Sequence, residues 1–172
     1  ELALRIGDHD NAIEASTLMA GDARREGDSI TKRRDQAMQL YNEVAANPSS
    51  EAAAVHRMEA LWFLALVEYD ANNIARAREL FLECRDAGVQ AMGADKVVWL
   101  DSWLAQLDVV EGHAAEGIAR MRSIGEVVRA NGQEDSGVSC YRDVALMSIR
   151  AMDYREASKG LAEGLRYAES VE

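Results

Sequence analysis

The three histidines are the residues of this chain whose types and neighbours could do acid–base or metal chemistry. His9 lies in the acidic segment at residues 8–11, whose carboxylates could hold a cation. A calcium loop would need a bidentate glutamate about where Met19 stands, so we expect a solvated turn instead. His56 and Glu59 lie three residues apart and could form a weak acid–base pair on one helix face. The sequence offers no third group to orient them, which favours an ordinary surface pair.

The other reactive side chains also favour structural roles. His113 falls in a short polar turn, where a solvated imidazole is expected. Cys84 and Cys140 fall in separate apolar helical segments, which predicts two free thiols in a reducing, cytoplasmic compartment. The chain contains neither a phosphate-binding glycine-rich loop nor a nucleophile elbow. The sequence therefore predicts no enzyme, no cofactor and no metal ion.

The elements that carry these residues are predicted to be helices. Of 172 residues, 29 are alanine and only one is proline, whereas an all-β sandwich needs turn residues every ~8–12 positions. The net charge of −11 argues against a nucleic acid or an anionic membrane surface as partner, because both are bound through excess Lys and Arg. The longest apolar run, residues 61–67, is far shorter than the ~20 residues that span a bilayer.

Hydrophobic periodicity predicts a single all-α domain over residues 1–172, built from four helical hairpins. Short turns at residues 70–73, 111–113 and 151–153 force the helices that they join to be antiparallel. Gly88 is expected to end the helix that begins at residue 74. The predicted hairpins cover residues 10–46, 51–87, 94–131 and 137–170. Because the chain begins at Glu1 without Met, we expect it to be a segment of a longer protein.

Two registers remain open for the first 50 residues. In the first, which we favour, helices at 10–26 and 29–46 form a hairpin, although Arg25 occupies the position where a small residue is expected. In the second, residues 7–12 form a turn after a helical stump, and the segment at 29–46 is an additional helix.

Pairs of small residues recur with a period of 40 residues. The pairs are Ala65/Ala77, Ala105/Gly117 and Ala145/Ala157. A methyl group or a hydrogen at both contact points lets two antiparallel helices approach closely. Four residues after each pair a large residue is expected to fill the gap to the next hairpin: Phe81, Met121 and Leu161.

With these small pairs, residues 51–170 resemble the tetratricopeptide-repeat (TPR) superfamily, and residues 10–50 resemble it loosely. The period of 40 differs from its usual period of about 34 residues. Longer repeats of this kind, and the stretches at 152–157 and 164–169, look like those of the MalT-like and large LuxR-type bacterial transcription activators. The resemblance implies a right-handed superhelical array of hairpins, an α-solenoid. It also implies an ATPase module upstream and a DNA-binding helix-turn-helix downstream, neither of which lies in this chain.

The resemblance further implies that the first helix of each hairpin lines a concave groove. The candidate ligand or partner residues on that face are Trp62, Leu66, Tyr69, Trp99, Ser102, Gln106, Val110, Arg142 and Arg150. The groove would be apolar with a few polar points, which favours a hydrophobic peptide or a small molecule. The alternative left open is that Trp62, Trp99 and Trp103 simply pack between hairpins.

The segment at residues 24–34 is the one local reversal of the acidic charge. Its basic side chains are Arg24, Arg25, Lys32, Arg33 and Arg34, with acidic residues interleaved. The favoured interpretation is a solvated, internally paired face, and the alternative is a dock for an acidic partner.

These observations predict a non-catalytic binding and regulatory module, the sensor or interaction segment of a bacterial transcription regulator. Its partner would be a protein or peptide, or a small-molecule effector, and self-association through an exposed apolar end of the array is a further expectation. The alternatives are a scaffold for a multiprotein complex and, from another class, a helical enzyme.

Overall fold

The computed structural model describes residues 27–46, 53–132 and 134–171. These residues form seven α-helices, one 3₁₀ turn at Ala94–Lys96 and no strand, which confirms the predicted all-α class for this part of the chain. The helices are α1 (Ile30–Ala46), α2 (Ala53–Asp70), α3 (Ile74–Met92), α4 (Leu100–Val110), α5 (Ala114–Ala130), α6 (Glu134–Arg150) and α7 (Tyr154–Val171). The predicted helix at 10–26, and with it the choice between the two registers, lies outside the described residues.

The helices fall into two compact units that meet in sequence after Gly93. In unit 1, α2 packs against both α1 and α3. In unit 2, α4 packs against α5, α5 against α6 and α6 against α7. Helix α6 also touches α4, so the first helix of one hairpin contacts both helices of the hairpin before it.

Three turns share one set of hydrogen bonds. Between α2 and α3, the amides of Ala71, Asn72 and Asn73 donate to the carbonyls of Val67, Tyr69 and Glu68, respectively. The same bonds recur 40 and 80 residues further along, between α4 and α5 and between α6 and α7. The central residue of each turn has a positive φ: 61° at Asn72, 99° at Gly112 and 61° at Met152. The 40-residue repeat is therefore present in the backbone of these turns as well as in the sequence.

The small pairs are buried, as their role in close packing requires. At Gly117, an added Cβ would lie 2.6 Å from the Ala105 carbonyl oxygen and 2.7 Å from Val109 Cγ2. Helix α7 approaches α6 in the same way, since a Cβ at Gly160 would lie 2.9 Å from Val144 Cγ1. The Gly117 contact confirms the close approach that the pair Ala105/Gly117 predicts.

Two of the three large residues that follow the small pairs are buried. Phe81 and Met121 are fully buried, and Met121 packs in a core with Ile124 and Val128 of α5 and Cys140 of α6, among others. Leu161 is instead 56% exposed, because no helix of the described chain packs on that side of α7.

The helix boundaries correct the sequence prediction at two places. Gly88 does not end α3, which runs through this buried glycine to Met92 and stops at Gly93, whose φ is 93°. The predicted helix at 94–110 begins later, because residues 94–96 form a 3₁₀ turn and α4 starts at Leu100. The first difference lies where glycine is ambiguous, since it serves equally as a helix end and as a buried position inside a helix.

Candidate functional site

The two described histidines each lie near a glutamate three residues further along the chain. His56 Nδ1 lies 3.3 Å from Glu59 Oε2 within α2. His113 Nδ1 lies 3.7 Å from the exposed Glu116 carboxylate at the start of α5. His9 lies outside the described residues. In the same ranges, no three His, Cys, Asp or Glu side chains are arranged to hold a metal ion.

The two cysteines are free and buried, as predicted. The Cys84 thiol donates to the Met58 carbonyl at 3.2 Å and ties α3 to α2. Burial raises the pKa of Cys84 to about 12 and that of Cys140 to about 11. Both side chains are thus protonated and poorly nucleophilic at neutral pH.

In unit 1, the three predicted groove residues are only partly accessible. Leu66 is 3% exposed and belongs to the core, whereas Trp62 and Tyr69 are half-buried. The ring of Trp62 lies 5.2 Å from that of Phe63, centroid to centroid. Of this set, Trp62 and Tyr69 retain surface that a ligand could touch.

In unit 2, the predicted residues before and along α4 are buried or half-buried. Ser102 and Gln106 are each 5% exposed, and the Ser102 hydroxyl donates to the Trp99 carbonyl at 2.7 Å. Trp99 is half-buried and packs against the core of unit 2. Val110, the last residue of α4, is half-buried. The packing interpretation of the tryptophans therefore fits Trp99 at least as well as the groove interpretation does.

A polar cluster joins α4 to α6. The Gln106 side-chain amide donates to Asp143 Oδ2 at 3.2 Å, and Arg142 donates to Asp143 Oδ1 at 2.8 and 3.0 Å. Burial raises the pKa of Asp143, while the hydrogen bond from Arg142 opposes that shift. Sequence reasoning missed Asp143, although its position beside Arg142 in an apolar helix was a usable signal.

The most accessible part of the predicted site is one side of α6. Arg142 and Arg150 are exposed, and between them Leu146 and Ile149 are 50% and 46% exposed. Their spacing of four, three and one residues places all four on neighbouring positions of the helix surface. We call these four residues the α6 face. Two aliphatic side chains between two guanidinium groups would suit a ligand that has apolar and acidic parts.

The basic segment at the start of α1 is paired within the chain where it is described. Arg33 pairs with Asp70, and Arg34 donates to Glu68 at 2.7 and 3.2 Å. Lys32 pairs with Asp28 at 2.9 Å. The pairing agrees with the favoured interpretation, but Arg33 is buried rather than solvated, and the partners of both arginines lie at the end of α2 and not among the interleaved acidic residues. Arg24 and Arg25 lie outside the described residues.

A cavity in unit 1 was not predicted from the sequence. It has a volume of about 430 Å³ and lies between α1, α2 and α3. Alanine and valine side chains line most of it, and Tyr41, Arg57 and Gln90 supply polar groups. Mostly apolar walls with a few polar groups are typical of small-molecule sites. The alanines that line it could not predict a cavity, because alanine is common throughout this chain.

No helix in the described ranges has both the length and the apolar character that crossing a bilayer requires. No protein-family model matches the sequence, no curated protein is significantly similar to it, and no solved structure matches it.

Proposed function

We propose that this chain is a non-catalytic binding module of the TPR-like kind, which recognises a peptide or small-molecule ligand on the α6 face. The recurrence of one turn geometry and of buried pairs of small residues at a period of 40 residues is the observation that carries the proposal. Hairpins that repeat in this way stack into right-handed superhelical arrays whose first helices bind partners. The array proposed here would serve as the sensor or interaction segment of a larger cytoplasmic bacterial transcription regulator.

The Gln106–Asp143–Arg142 cluster gives this proposal a mechanism. Arg142 is exposed and reaches solvent, yet it shares the Asp143 carboxylate with a buried residue of the preceding hairpin. An acidic group that binds Arg142 competes with Asp143 for the guanidinium and so changes the charge around the carboxylate that Gln106 of α4 contacts. Ligand binding would thereby shift the relative packing of successive hairpins, which is the response that a sensor transmits.

Ligand-induced thermal stabilisation tests the proposal. The chain is heated with a panel of short peptides that combine acidic and apolar residues and with small apolar carboxylates. A ligand at about 100 times its Kd should raise Tm by roughly 5–10 °C. The substitution pair Arg142→Ala/Arg150→Ala should abolish the shift, and the matched exposed Arg76→Ala on α3 should leave it unchanged.

Two outcomes would count against the α6 face. If no member of the panel shifts Tm, the binding function loses its support. If a shift persists in Arg142→Ala/Arg150→Ala but disappears in Arg57→Ala, the ligand occupies the unit 1 cavity instead.

A further inference from the structure

Helix α7 carries an exposed apolar strip. Tyr154, Leu161 and Leu165 are 67%, 56% and 62% exposed, and the half-buried Ala168 continues the strip. Spacings of seven, four and three residues place these side chains on one side of the helix. The adjoining side of the helix, with Ala157, Gly160 and Tyr167, is buried. We call Tyr154, Leu161, Leu165 and Ala168 the α7 strip.

The equivalent residues of α5, one 40-residue period earlier, show how this side of the helix can pack. The residues of α5 that lie 40 positions before the strip are Ala114, Met121, Gly125 and Val128. Met121 and Val128 are fully buried, and both belong to the core that includes Cys140 and Val144 of α6. On α5 this side is therefore an interface with the next helix, whereas on α7 the corresponding surface is uncovered in the described chain.

The side chains of the α7 strip are too large for another helix to pack on α7 as closely as α6 packs on α5. Gly125 lets α6 come so close that an added Cβ would lie 3.3 Å from Cys140 Cβ. Leu165 occupies the corresponding position of α7, and Tyr154 replaces Ala114. These larger side chains would hold a helix further away, at a distance typical of leucine packing between two helices.

The charges beside the strip complement a second copy of it. Arg155 and Glu169 are both exposed on the same flank of the strip, and each lies seven residues from Ala162. In an antiparallel pair of identical helices, like flanks face each other. A two-fold axis near Ala162 would therefore bring Arg155 of each copy to Glu169 of the other, with the leucines at the centre.

We propose that the α7 strip binds the same strip of a second copy of this chain, with the two α7 helices antiparallel. This surface is separate from the α6 face, so the inference does not depend on the proposed function. A contact made by one helix from each copy is small, and we expect a weak, reversible dimer with Kd on the order of 10–100 μM.

Sedimentation equilibrium of the whole chain from about 5 to 500 μM tests this inference. Leu161→Glu should raise the dimer Kd by roughly tenfold or more, since it buries a charge in the contact. The matched control Leu82→Glu changes a leucine that is 48% exposed on α3 and should leave the Kd unchanged. Circular dichroism of each variant at low concentration checks that the monomer fold is intact.

A charge exchange tests the antiparallel arrangement. Arg155→Glu and Glu169→Arg should each raise Kd by about threefold, and the double variant should restore it to within about twofold. Arg155→Glu places a negative charge near the N-terminus of α7, and Glu169→Arg places a positive charge near its C-terminus. The helix dipole favours both, so neither change should destabilise the monomer. A chain that stays monomeric at 500 μM, or a dimer that tolerates Leu161→Glu, would overturn the proposal. A dimer that the double variant fails to restore would overturn the antiparallel geometry.

Discussion

Gly117 of α5 lies against the backbone of α4 so closely that a Cβ at this position would come 2.6 Å from the Ala105 carbonyl oxygen. A backbone oxygen cannot move aside as the end of a side chain can. The glycine thus sets the distance between the two helices of this hairpin, and the pairs Ala65/Ala77 and Ala145/Ala157 mark the equivalent points one period away.

Gly117→Ala should lower the free energy of unfolding by about 1–3 kcal/mol, because the added methyl forces α5 away from α4. Urea denaturation followed by circular dichroism measures the change. Ser123→Ala, at an exposed position of the same helix, should change stability by less than about 0.5 kcal/mol. If Gly117→Ala is as stable as that control, the helices are not held at the contact described above.

The turn between α6 and α7 should become more stable when Met152 is replaced. Its φ of 61° costs a non-glycine residue about 1–2 kcal/mol, and its side chain is 79% exposed and contributes little packing. Met152→Gly is therefore expected to raise Tm by a few degrees. Gly112→Ala, in the equivalent turn, should lower Tm because alanine is strained at the positive φ of this position. The added Cβ would contact no other residue, so this variant measures the backbone strain alone. Opposite signs for these two variants in thermal unfolding are the expected result.

Unit 1 should lose stability in acid through Glu68. Hydrogen bonds from Arg34, and next from Asn73, hold the pKa of this carboxyl below its ordinary value near 4.5. The folded state therefore binds the proton more weakly than the unfolded state. The resulting stabilisation is complete above pH 4.5 and is lost as the pH falls through the lowered pKa.

Urea titrations of the wild type and Glu68→Gln at pH 7 and pH 3 would measure this contribution. The difference in unfolding free energy between the two proteins should be clear at pH 7 and should narrow at pH 3. Glu79→Gln removes an exposed carboxylate that pairs with Arg76 only one turn away, and it should have little effect at either pH. A difference for Glu68→Gln that is constant with pH would contradict the assignment.

Both thiols should resist alkylation in the folded protein. Burial raises the pKa of Cys84 to about 12 and that of Cys140 to about 11, so the thiolate is scarce at pH 8. Iodoacetamide should modify neither residue within the time that completes the reaction in urea, as mass spectrometry would show. Each thiol has a higher pKa in the folded chain than in the unfolded chain, so the folded state holds these protons more tightly. The free energy of unfolding should therefore decline as the pH rises above about 9. Rapid modification of native protein at pH 8 would disprove the described burial.

The sequence was sufficient to locate the turns because short segments at residues 70–73, 111–113 and 151–153 interrupt the helical apolar pattern, with Asn72 and Asn73 in the first, Gly112 in the second and Asp153 in the third. It misplaced the end of α3 because Gly88 and Gly93 look alike locally, and only the packed structure distinguishes a buried contact from a left-handed cap. The start of α4 was misplaced for a related reason, since residues 94–99 are compatible with a helix and their 3₁₀ turn depends on the surrounding packing.

The candidate site was less predictable than the fold. A period of 40 residues identifies equivalent positions, but it does not say which of them the neighbouring helix covers. Ser102 and Gln106 are buried with partners inside the chain, whereas their equivalents Arg142 and Leu146 are exposed. Within the described chain, α6 packs beside α4 but no later first helix packs beside α6, and such packing is a tertiary property.

The contact of Arg142 with Asp143 also couples ligand recognition to protons. Asp143 is a half-buried carboxylate whose pKa is raised by burial, and the hydrogen bond and charge of Arg142 oppose that shift. An acidic ligand that draws Arg142 away would leave Asp143 with Gln106 alone and make its protonation easier. Proton uptake by Asp143 and anion binding by Arg142 would then reinforce each other, so acidification would tighten binding at this end of the α6 face.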